Sequence, residues 1–390
     1  MAAALRVADV LRPCWETYDR THRLPPHVAT AVRHILECRT KKLGGHIHQC
    51  DHCGSEVPIY NGCQTRHCPS CQNGAKEKWL DARREELLPV QYFHVVFTLP
   101  HSLNDLINAN RKVLLAELFS VVSWVLQRFA QDPQWRLEGE IGYVALLHTW
   151  TQKLQQHFHI HCIVPGGVWR AETKEWIPCR GKWLFKKESL CDAFRNRFIK
   201  RLRSLRKRNK LAYGGPAAAL ADEQTWEALL AELEAATWIV FPKATPDDPT
   251  QAFEYIASYT HKVAISDHRI KKIENGKVTY TWRDRSDNNC EKPDTIPIEE
   301  FTKRFLMHIL PDRFHKIRYG GWMSAAKRKK ALPAIREAIV EKLPETQSEE
   351  TLQERILRKT GVDITLCPNC KKGHLFKTEK RIPPYASRSP

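Results

Sequence analysis

Three histidines at alternate positions, His157, His159 and His161, are followed much later in the chain by Tyr255 and Tyr259. In an extended strand successive side chains alternate faces, so histidines two apart project the same way and can grip one divalent ion. At about 3.3 Å per residue, the Cα atoms of His157 and His161 stand roughly 13 Å apart, near the limit for sharing a metal. A neighbouring pair of the three is therefore expected to hold it with a ligand from elsewhere, while Phe158, Ile160 and Cys162 pack the opposite face. In a helix, residues four apart share a face, so the tyrosines stand together. At 100° per residue Tyr255, Tyr259 and Lys262 fall within about 60° of one another, away from the stripe of Phe253, Ile256, Thr260 and Val263. A metal beside two phenols can cut and rejoin a phosphodiester, the cation polarising the phosphate and a phenolic oxygen attacking it. Phenol ionises near pH 10, so the nucleophile needs a base or a cation; Lys262 and the metal both qualify.

A second chemistry sits upstream. Cys50-x2-Cys53 and Cys68-x2-Cys71 are two knuckles separated by Gly54 to His67, with Cys63 and His67 as spare donors. Zinc takes four soft ligands in a tetrahedron, and each knuckle presents two thiolates from one tight turn. One structural zinc on Cys50, Cys53, Cys68 and Cys71 is the expectation. Cys367-Pro368-Asn369-Cys370, with His374 nearby, resembles half of a zinc ribbon and is a weaker signal by itself.

Elements that position these groups can be read around them. Val28, Val32, Ile35 and Leu36 recur at helical spacing after Pro25 and Pro26, and Phe93 to Leu99 is apolar enough for a buried strand. Gly142 to His148 reads as a strand that forms an antiparallel hairpin with the histidine strand, so His148 or Gln152 is expected near the cluster. Asp248, Pro249 and Gln251 supply cap, first residue and reciprocal cap for the tyrosine helix. Nine Lys or Arg residues between Arg195 and Lys210 alternate with Phe198, Leu202 and Leu205, giving a helix whose basic face either meets phosphates or is merely solvated.

The composition narrows the partners. The chain's 62 Lys and Arg against 44 Asp and Glu give a net charge of +18, which favours a polyanion, nucleic acid above all. No run approaches the length of apolar residues that a membrane span needs, since Glu117 breaks Leu114 to Leu126, and Arg6 and Asp9 interrupt any signal segment. A cytoplasmic protein without a membrane partner is expected, in which the 13 cysteines stay reduced and close pairs point to metal.

His159-Ile160-His161 with Cys162 to Gly167, and Tyr255 to Ser266, resemble the two hallmark blocks of the two-tyrosine rolling-circle transposases of bacterial insertion sequences. These are Helitron-related HUH enzymes, named for a histidine, apolar, histidine run. The resemblance extends through Asn61 to Cys71, Phe97 to His101 and Phe305 to Gly321, although Phe158 stands where relatives often have proline. It implies an α+β fold, a central antiparallel sheet flanked by helices, behind an N-terminal helical zinc-binding module. It further implies that His159 and His161 hold Mg2+ or Mn2+, with His157, His148 and Gln152 competing as third ligand, and that Tyr255 and Tyr259 attack single-stranded DNA at element termini and target, leaving a 5′-phosphotyrosine. The expected order is a zinc-binding domain over 1–90, a nuclease domain over 91–275, a basic part over 276–345 and a polar tail over 346–390. A plasmid replication initiator or relaxase of the same chemistry, and a non-enzymatic zinc-dependent DNA-binding protein, are the alternatives.

Overall fold

The computed structural model describes residues 5–84, 86–180, 184–245, 264–284, 286–339 and 351–385. Tyr255, Tyr259 and Lys262 lie outside the described residues. The chain divides into two compact units: Met1–Trp79 with His261–Ile309 and Pro344–Pro390, and Leu80–Thr260 with Leu310–Leu343. Long-range pairing overrides chain order, because a strand at Leu375–Ile382 hydrogen-bonds to one at Gly45–Cys50.

The second unit is built on a five-stranded, wholly antiparallel sheet. Its order is Ile317–Gly320, Tyr143–Trp150, Gln156–Pro165, Tyr92–Thr98, Ile239–Ala244. Side-chain alternation divides the sheet into two faces. Phe93, Val95, Phe97, Ala145, Leu147, Phe158, Ile160, Cys162 and Val240 point one way and are all buried in the main apolar core. The helices Arg111–Gln131, Lys187–Lys207 and Glu223–Ala235 cover this face with Leu118, Val122, Phe194, Phe198, Trp226 and Leu230. Edge-on aromatic contacts, Phe97 to Phe194 and Phe194 to Trp238, each at 5.2 Å between centroids, lock the layers together. The helix Arg111–Gln131 is long and apolar enough to cross a membrane, but most of its apolar side chains are part of this core, Val113 and Trp124 being exposed.

The basic helix, Lys187–Lys207, spends part of its charge internally. Arg201 grips Glu117 with two bonds of 2.8 Å, Arg203 meets Glu227 and Glu234, and Arg206 meets Glu223. Three of the nine basic residues are thus tied to neighbouring helices, while Lys200, Lys207, Arg208 and Lys210 stay exposed.

In the first unit, helices at Val7–Leu11, Trp15–His22 and Pro26–Glu37 precede a hairpin of Gly45–Cys50 with Glu56–Tyr60. The strand Leu375–Ile382 adds to the hairpin's other edge, and a separate three-stranded sheet joins Ile270–Glu274, Lys277–Asp284 and Cys290–Pro297. Asp267 gathers distant chain, its carboxylate accepting from the Val7 amide at 2.9 Å and the Ser70 hydroxyl at 2.5 Å.

Candidate functional site

On the sheet face turned away from the helical core, the hairpin register sets His148 directly opposite His159. His161 is two residues along on the same face, and ring centroids lie 5.3 Å (His148–His159), 4.4 Å (His148–His161) and 4.8 Å (His159–His161) apart. One ring nitrogen from each of the three lies within 4.8 Å of the others, and all three residues are buried. The hairpin thus brings His148, one of the three expected competitors, to the His159 and His161 pair. His157 turns to another partner, its Nδ1 standing 2.9 Å from Nε2 of His101.

Neighbouring groups orient the rings. Nδ1–H of His159 donates to the His157 carbonyl at 2.8 Å, so Nε2 is the ring nitrogen that could serve a metal. Nδ1 of His161 shares a proton with Nε2 of His94 across 2.7 Å, and the two rings stack with 10° between their planes. His94, on the adjacent strand Tyr92–Thr98, is buried. Sequence reading recognised this strand but assigned no role to His94, although its position in the alternation places it on the histidine face.

The cysteines form two clusters, both in the first unit. Cys38, Cys63, Cys68 and Cys71 make one; Cys50, Cys53, Cys367 and Cys370 make the other. The expected single site on Cys50, Cys53, Cys68 and Cys71 is thus not brought together. A hairpin intervenes: Cys50 and Cys53 sit at its turn, while Cys63 follows the other end, where the Asn61 amide donates to Gly44. Strands of this length hold the two ends roughly 17 Å apart, too far for one ion. Cys38 was missed because a lone cysteine carries no spacing signal. His67 is not a member of either cluster.

The donor sets fit zinc. Four thiolates around an ion at about 2.3 Å require sulfur separations near 3.8 Å. Cys38 to Cys71 is 3.5 Å and Cys63 to Cys71 is 3.8 Å. The thiols also compete for protons: hydrogen bonding by Cys63 and then Cys68 holds Cys38 below the usual thiol range, and the same contact with Cys38 pushes Cys63 above it. A bound cation would displace the protons over which these groups contend.

Comparison with known proteins bears on both sites. A family model described as "Putative transposase" matches residues 142–331, and one described as "Transposase zinc-binding domain" matches residues 10–99. The "Putative transposase y4qJ" of Sinorhizobium fredii (strain NBRC 101917 / NGR234) is 37% identical over 380 residues, covering 96% of this chain and 94% of that protein. The chain belongs to the insertion-sequence transposase family. This transposase is also 26% identical over 337 residues to the "Transposase for insertion sequence element IS801" of Pseudomonas savastanoi pv. phaseolicola, covering 84% of this chain and 77% of that protein. No solved structure is a significant match. The transposase is thus an enzyme acting on DNA, with an N-terminal zinc-binding domain. The transposase match takes in the histidine strand, and the zinc-domain match takes in every cysteine of the two clusters except Cys367 and Cys370.

Proposed function

We propose that this transposase is a metal-dependent HUH endonuclease and strand transferase that nicks and rejoins single-stranded DNA at element ends through a 5′-phosphotyrosine. The observation that carries the reading is the trio His148, His159 and His161, buried together on the sheet face opposite the helical core. Their donor set suits a divalent ion, and Mg2+ or Mn2+ held there would polarise the scissile phosphate.

The remaining chemistry belongs to the chain. Tyr255 or Tyr259 supplies a phenolic oxygen that bonds to phosphorus while the bond to the 3′ oxygen breaks. The departing oxygen takes up a proton to become a 3′-OH, and the 5′ phosphate stays on the enzyme as an ester. Lys262 assists by accepting the phenolic proton or offsetting the phenolate charge. Because the ester keeps the energy of the broken bond, attack by a 3′-OH reverses the step and joins strands without ATP. Two tyrosines let one strand end be held while a second is cut.

A single strand suits the surroundings of the trio. Val96 pairs with both His161 and Phe241, so Phe241 lies two strands over on the same face, roughly 10 Å away. Phe241 and Ile239 are each about half exposed, 50% and 53%, and can accept a stacked base. With such a substrate the enzyme works in the bacterial cytoplasm, at the nucleoid.

An oligonucleotide carrying an element end, labelled at its 3′ terminus, should become covalently attached to the protein in Mg2+ or Mn2+. A Tyr255→Phe, Tyr259→Phe protein should form no adduct, and His159→Ala should lower the yield at least ~10²–10³-fold, the loss expected for a principal electrostatic stabiliser. Adduct that persists in the double phenylalanine variant, or is indifferent to EDTA, would overturn the reading.

A further inference from the structure

Cys367 and Cys370 lie outside the zinc-domain match, yet they face Cys50 and Cys53 across 320 residues of chain. Sγ of Cys50 is 3.7 Å from Sγ of Cys370, and Sγ of Cys53 is 3.8 Å from Sγ of Cys367. Both separations match the edge of a zinc–thiolate tetrahedron, about 3.8 Å, and both are far too long for a disulfide at about 2.05 Å.

The backbone makes the same case independently of the sulfur positions. Each Cys-x2-Cys is followed by a residue in the left-handed region, Gly54 at φ 68° and Lys371 at φ 54°, so the two turns are folded alike. Amide N–H groups aim at the sulfurs: those of His52 and Cys53 at Cys50, 3.4 and 3.5 Å, and that of Gly373 at Cys370, 3.5 Å. Such N–H···S contacts fix the direction in which each sulfur points. The turns are also sewn to each other, the Asp51 carboxylate accepting from the His374 amide at 2.7 Å and the Asp51 amide donating to the His374 carbonyl at 3.1 Å. At Gly373 any Cβ would come within 2.6 Å of the Cys50 sulfur and within 2.4 Å of the Asp51 carboxylate. Only glycine lets the backbone approach the cluster this closely.

We propose that Cys50, Cys53, Cys367 and Cys370 bind a second structural zinc, distinct from the one at Cys38, Cys63, Cys68 and Cys71. The carboxy-terminal knuckle is then an integral half of the amino-terminal zinc module. The strand Leu375–Ile382, paired along Gly45–Cys50, is the beam that the ion fastens at one end.

Metal analysis of the purified full-length protein tests this. The wild type should carry two zinc ions per chain, and Cys367→Ser, Cys370→Ser one. A second measurement needs no variant: alkylation of the native protein, with labelled cysteines located by mass spectrometry, and exposed Cys290 as the internal standard. Cys50, Cys53, Cys367 and Cys370 should be protected in the loaded protein and become reactive together on chelation, without reductant. One zinc per chain with Cys367 and Cys370 alkylated as fast as Cys290 would refute the proposal. So would iron in place of zinc, or thiols that appear only after reduction.

Discussion

The histidine trio and the cysteine clusters are both metal-ligand geometries, but they are assembled on different principles. The three histidines come from a single hairpin, so strand alternation and one register suffice to bring them together. The cysteine clusters are closed by tertiary contacts, one of them between residues 320 apart in sequence. The sheet that carries the histidines is held by an apolar core that needs no ion. The small sheet at Gly45–Cys50, Glu56–Tyr60 and Leu375–Ile382 has little such core, and small modules of that kind draw their stability from metal.

Chelation should therefore separate the two regions most sharply. Structural zinc contributes on the order of 10 kcal/mol to folding in small modules. Removing it under reducing conditions should abolish hydrogen-exchange protection in Gly45–Tyr60 and Leu375–Ile382, while Tyr92–Thr98 and Gln156–Pro165 keep theirs. Equal loss in both regions would contradict the contrast. The converse perturbation is Phe158→Ala, which empties a fully buried site behind the histidines. It should cost about 3–5 kcal/mol, read as a lower unfolding midpoint for the sheet with zinc content unchanged.

How much of this was legible depends on the range of the interaction that decides each element. The strand Phe93 to Leu99, the hairpin that carries His148 to the cluster and the helix after Pro25 all follow from local periodicity, and the structure contains them. Cys50 and Cys53 read as partners of Cys68 and Cys71 because they are neighbours in sequence; the intervening hairpin, whose register sequence does not display, carries them apart. Cys38 had no motif to announce it. The basic helix was visible, but its Glu117, Glu227 and Glu234 partners lie on other helices, so the pairing of Arg201 and Arg203 was not. Tyr255, Tyr259 and Lys262 rest on their spacing and on the family resemblance alone.

Two smaller effects refine the account of the sheet. His94→Ala should weaken Mn2+ binding by roughly 10- to 100-fold, the usual consequence of removing a group that orients a ligand. His94→Gln, whose amide oxygen can accept from His161, should recover part of it; calorimetric titration of the metal distinguishes this from a general loss of folding. Burial pushes both Tyr92 and Tyr143 up to about 12. Their unfolded value is near 10, so the stabilisation they give is complete below pH 10 and drains away as pH rises through 12. Denaturation midpoints from pH 8 to 12 should fall in that window, and less steeply in Tyr143→Phe.

The pairing of Leu375–Ile382 with Gly45–Cys50 also bears on how the protein comes into being. As synthesis proceeds from the amino terminus, the hairpin emerges early with one edge bare and waits for a partner that the ribosome delivers some 320 residues later. An unpaired edge of this kind invites pairing with other chains. A prematurely terminated copy would keep that edge, and the cell's quality control would meet it as an aggregation-prone fragment instead of a working enzyme loose on the chromosome.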